Sequence, residues 1–101
     1  MVWRREAIVI NEVISFSNIS ATPTAFLLRG GLYGVTAMAT WGGGSVTLQR
    51  LAADGTTYIT VLTAFAANGY ATVSLPDGTY RLLVATSTAI YLDITSITFG
   101  N

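Results

Sequence analysis

Five carboxylates, Glu6, Glu12, Asp54, Asp77 and Asp93, are the side chains best suited to acid–base chemistry, because the sequence has no histidine, cysteine or lysine. A nucleophilic triad therefore lacks its base. Paired carboxylates can hydrolyse a bond without histidine, but these acids have simpler uses. Asp54 and Asp77 each precede a glycine in a turn, where aspartate bonds to nearby backbone. Asp93 sits between Leu92 and Ile94, on the opposite face of an alternating strand. Calcium loops gather several oxygen ligands at alternating positions, and zinc sites want thiolates or imidazoles. Neither pattern occurs. The sequence predicts no catalytic residue, no metal and no cofactor.

The stretch TWGGGSVTLQR, residues 40–50, invites comparison with a phosphate-cradling loop. Such a loop runs from a strand into a helix and usually carries a lysine. Here the glycines run from strand to strand, so Gly42-Gly43-Gly44-Ser45 reads as a hairpin connection with positive φ at several positions. Arg29-Gly30-Gly31 occurs once, between apolar runs, and reads as a chain reversal. Zero net charge argues against nucleic acid, which calls for a basic stripe. Glu6, Asn11 and Glu12 interrupt the amino-terminal apolar run, and no stretch is long enough for a membrane span.

Two groups of residues could recognise a partner. Trp41, Tyr70 and Asp54 could present aromatic rings beside a carboxylate, as glycan-binding β-sandwiches do; the competing reading has Trp41 and Tyr70 packing over the sandwich mouth. Trp3, Arg4 and Arg5 lie in an amino-terminal segment, residues 1–6, that reads either as an arm docking on a neighbour or as a frayed end.

The elements that position these residues are strands. Residues 34–41 place apolar side chains at odd positions, and 45–51 turn Val46 and Leu48 one way and Thr47 and Gln49 the other. Residues 57–63, TYITVLT, are apolar on both faces and predict a covered strand. Residues 69–75 alternate again. Pro76-Asp77-Gly78 predicts a turn in which glycine takes positive φ. Residues 79–86 and 89–99 follow, the latter with Ile90, Leu92 and Ile94 inward, while 7–16 and 24–29 are weaker strands upstream. About eight short strands in one domain, residues 1–101, indicate an all-β, antiparallel sandwich.

Only 10% of the residues are charged, against roughly a quarter in ordinary soluble domains. So thin an ionic coat predicts a protomer that hides part of its surface against something else.

From Gly30 to Ile97 the order of pieces resembles small phage capsid decoration, or cement, proteins. The likeness lies in GGLYG, the glycine-rich turn, VTLQ, the Asp54-Gly55 turn and LPDGTYR. It implies a jelly-roll-like sandwich, made in the host cytoplasm, that self-associates as a dimer or trimer. On the virion it would bind the phage major capsid protein and brace the assembled shell. Residues 1–29 carry no part of the likeness.

Overall fold

The computed structural model describes residues 13–97. Within them eight strands form: β1 Val13–Ile19, β2 Phe26–Leu28, β3 Gly31–Thr40, β4 Ser45–Leu51, β5 Tyr58–Thr60, β6 Gly69–Leu75, β7 Gly78–Ala85 and β8 Thr88–Ser96. They make two four-stranded sheets, a front sheet in the order β1-β8-β3-β6 and a back sheet in the order β2-β7-β4-β5. First pairs with last, second with seventh, third with sixth and fourth with fifth, all antiparallel. That nesting is a long hairpin rolled into two layers, the jelly roll.

Alternation explains why the layers close. Val35 and Ala37 on β3, Ile90, Leu92 and Ile94 on β8, and Leu75 on β6 point inward from the front sheet. Val46 and Leu48 on β4, Tyr80 and Leu82 on β7, and Leu28 on β2 point inward from the back sheet. Every one is buried, and together they form a single core. Burying side chains of this size contributes roughly 1.5 to 3 kcal/mol each before the entropy of ordering is charged against it.

Several expectations need correction. The Gly42–Ser45 connection does not join paired strands, because β3 belongs to the front sheet and β4 to the back. Its chemistry is nonetheless that of a tight hairpin turn: Gly42 and Gly43 have φ of 55° and 83°, and the Gly44 N–H donates to the Trp41 carbonyl at 2.7 Å. A two-residue turn is being used to change sheets.

The 57–63 run forms only three residues of strand at the back-sheet edge, with Ile59 and Thr60 exposed. It is not covered on both faces. Beyond it the chain follows β4 irregularly: Val61 N–H donates to Leu48, and Phe65 exchanges both backbone bonds with Val46. At the amino-terminal side, β1 extends through Ile19 across a register shift, with Asn18 at φ 54° supplying the extra residue. The earlier part of the 7–16 expectation, and residues 98 and 99, lie outside the described residues.

Candidate interaction surface

The roll has two ends and two outer sheet faces, and each handles its polar groups differently. At one end, called lower here, the chain changes sheets between β2 and β3 and again between β6 and β7. Both crossings are built alike. The Tyr33 hydroxyl donates to the Arg29 carbonyl at 2.5 Å, and the Tyr80 hydroxyl donates to the Pro76 carbonyl at 2.5 Å, each four residues upstream. These are tyrosine corners: a buried ring anchors the strand while its hydroxyl satisfies a carbonyl of the turn.

The Asp77 carboxylate accepts the Gly30 N–H and so ties the two corners together. Arg50 reaches in from the end of β4 and donates to the Asp77 carbonyl at 2.8 Å. Gly78 makes room for it, since a Cβ there would stand 2.7 Å from the Arg50 Nε. Close approach, not positive φ, is therefore the reason for this glycine. Burial pushes the Tyr80 phenol above its usual pKa, opposed by the Arg50 guanidinium beside it. Leu27, Leu28, Arg29, Asp77, Gly78 and Thr79 border a shallow depression of about 390 Å³ at this corner.

Asp54 belongs to the β4–β5 turn, also at the lower end. Its Oδ1 accepts the N–H groups of Thr56 and Thr57, both at 2.9 Å, and its Oδ2 accepts the Thr57 hydroxyl at 2.6 Å. These bonds, the Thr57 hydroxyl foremost, lower its pKa to about 2. The carboxylate is spent on its own turn, as its place before Gly55 predicts.

Trp41 lies at the opposite, upper end, half-buried against the core. Its indole N–H donates to Asn68 Oδ1 at 2.9 Å, and Ser87 donates to its carbonyl at 3.3 Å. Trp41 and Asp54 are thus separated by the full length of β4. Tyr70 belongs to neither end. It projects from β6 on the outer front face, and its hydroxyl and ring lie over Gly34 of β3, close enough that a Cβ at Gly34 would meet the oxygen at 2.6 Å. The three residues of the glycan reading do not converge. Trp41 packs against the core, whereas Tyr70 is 62% exposed. Trp3, Arg4 and Arg5 lie outside the described residues.

What remains is the outer front face. Register aligns Ser15, Asp93, Thr36 and Tyr70 across it in one row, with Tyr91 and Met38 paired in the next and Val13 and Thr95 on the other side. Val13, Met38, Tyr70 and Tyr91 are all exposed. Among the described residues, Asp93 is the one charged group on this face, receiving the Thr95 hydroxyl at 3.4 Å. Among the described strand residues of the outer back face, the corresponding single charge is Arg81. Its Nε donates to Gln49 Oε1 at 2.8 Å, its guanidinium lies 4.1 Å from the centre of the Tyr58 ring, and Leu27 and Leu83 stand exposed near it. Reading one strand at a time missed this face. The clue was available in the even positions of residues 34–41, where Met38 interrupts a polar series.

Asp93 stands on the sheet face and Asp54 and Asp77 at the lower end, each with hydrogen bonds of its own. Among the described residues no three acids, histidines or cysteines gather where a metal could sit. No helix in them is long and apolar enough to cross a membrane.

No family model matches this chain. No curated protein matches it either. Among solved structures, a chain from Bacillus endospore appendages, described as a novel family of disulfide-linked pili, is 18% identical, with a TM-score of 0.44 over 89% of this chain and 87% of that one. The fold described above stands on strand order and register and not on that likeness.

Proposed function

We propose that this protein is a non-catalytic structural protein that binds the outside of a larger assembly, and specifically a phage capsid decoration or cement protein. The observation that carries the reading is the pair of sheet faces, on each of which, among the described strand residues, a single charge stands amid exposed apolar and hydroxyl side chains. Such faces desolvate cheaply and present little that would act on a small molecule. The resemblance of residues 30–97 to cement proteins supplies the finer identity, with the phage major capsid protein as partner and the virion surface as location.

Mass action supplies the mechanism. A protein that binds the assembled shell and not its dissociated subunits stabilises the shell in proportion to occupancy. Contacts between neighbouring copies add avidity without new contacts to the shell. The dimer or trimer implied by the resemblance is one form of such association; the faces favour another, an open stack.

Co-sedimentation with phage heads tests the reading. Saturable pelleting, together with heads that withstand higher temperature when coated, is the expected result. A folded protein that stays in the supernatant at every ratio, and leaves head stability unchanged, would defeat it.

A further inference from the structure

We propose that copies of this chain stack head to tail, the front sheet of one lying on the back sheet of the next. The proposal builds on the self-association in the reading above but not on its capsid partner. Among the described strand residues that point outward, the front sheet carries one acid, Asp93, and no base, while the back sheet carries one base, Arg81, and no acid. Arg29 and Asp77 border the depression beside Leu27 at the lower corner, Asp54 lies in the β4–β5 turn, and Arg50 turns towards the Asp77 corner.

A two-fold contact between like faces brings Asp93 towards Asp93, or Arg81 towards Arg81. Front against back brings opposite charges together, which fixes orientation and disfavours the symmetric alternatives. Arg81 is already oriented by Gln49 and Tyr58, so little side-chain freedom is lost when it meets a carboxylate.

Apolar surface agrees with this. Met38, Tyr91, Tyr70 and Val13 are exposed on the front, Leu27 and Leu83 on the back. Four strands about 4.8 Å apart and seven residues long offer a face of roughly 450 Å², the size of a functional patch on a small protein. The shallow recess between Ser15, Ser17, Thr36, Met38, Tyr91 and Asp93, about 230 Å³, could receive a side chain such as Leu83. Because the outer faces of a two-layer sandwich point in opposite directions, this heterologous contact propagates as an open column instead of closing as a dimer or trimer.

Sedimentation velocity on the full chain over a concentration series tests the proposal. The expected result is mass growing past the dimer. Asp93→Arg alone, and Arg81→Glu alone, each weaken association at least about ten-fold. An equimolar mixture of the two restores it, since each altered face then meets its complement.

A monomer at all concentrations, growth that stops at a dimer, or folded variants whose mixture does not recover would overturn the proposal. Should a charge variant fail to fold, cysteines decide instead, because the chain has none of its own. Met38→Cys alone should not cross-link on oxidation, whereas Met38→Cys with Leu83→Cys should give a ladder. Dimers from the single variant would mean front-to-front contact and end the proposal. Neither experiment involves phage heads, so the cement reading stands or falls separately.

Discussion

The Asp77 carboxylate accepts the main-chain N–H of Gly30, forty-seven residues away in sequence, and joins the two crossings by which the chain changes sheets at the lower end. Each crossing already holds itself through a tyrosine. The cross-link adds register between them, so β2–β3 and β6–β7 move as one unit beneath both sheets.

Removing the cross-link should cost stability without changing the fold. Asp77→Ala deletes the charged acceptor and should lower unfolding free energy by about 1 to 2 kcal/mol. Asp77→Asn keeps an acceptor oxygen and should cost less. Urea unfolding followed by tryptophan fluorescence reads both, with the m-value unchanged. Equal stability of the alanine variant and wild type would mean that water replaces the carboxylate at no cost.

The paired tyrosine corners make a second prediction. Tyr33→Phe and Tyr80→Phe keep their rings in the core and remove only the hydroxyls that satisfy the Arg29 and Pro76 carbonyls. Each should cost about 1 to 1.5 kcal/mol, or roughly 4 to 8 °C in Tm for a domain of this size. Calorimetry on the two single variants and the double variant shows whether the corners act independently; a double variant worse than the sum would mean they are coupled through Asp77.

Three adjacent glycines should respond unequally to alanine. Gly42 and Gly43 are needed for positive φ and face open space, so Gly42→Ala should cost about 1 kcal/mol of backbone strain. Gly44 is needed for room. A Cβ there would lie 1.9 Å from the Ala85 carbonyl oxygen and 2.8 Å from the Ser87 nitrogen, at a turn where Thr86 is already held at φ 66° and Ser87 N–H bonds back to Ala85. Backbone on both sides cannot yield as a side chain would. Gly44→Ala should therefore cost about 3 kcal/mol or more, enough to threaten folding, and circular dichroism with thermal melts separates the two outcomes.

The inward residues were legible in the sequence because alternation records which side of a strand faces the core. Val35, Ala37, Val46, Leu48, Ile90, Leu92 and Ile94 all point as their spacing predicts. Partner choice is not recorded there. Residues 40–45 look like a hairpin because turn chemistry fixes local φ, whereas whether β4 lies beside β3 or across from it depends on β6, β7 and β8. The same limit hid the outer front face. Met38, Tyr91 and Tyr70 come from three strands far apart in sequence, and only register brings them together. Asp54 was readable as a turn residue, and its distance from Trp41 followed once β4 was known to run between them.

Asp54 predicts how the β4–β5 turn responds to acid. Its folded-state pKa, about 2, lies below the ordinary aspartate value of roughly 3.9 expected in the unfolded chain. The unfolded chain therefore binds the proton more readily, and the stabilisation from this carboxylate is fully present above about pH 4. It is lost as the pH falls from about 4 to about 2. The group is fully exposed and its partners are two backbone N–H groups and the Thr57 hydroxyl, so the dependence should be modest and local. Asp54→Asn should flatten the decline in Tm between those pH values relative to wild type, and Thr57→Val should shift the Asp54 carboxyl titration upward when followed by NMR. A carboxyl carbon that titrates near 4 in the folded protein would show that the turn does not hold its aspartate as described.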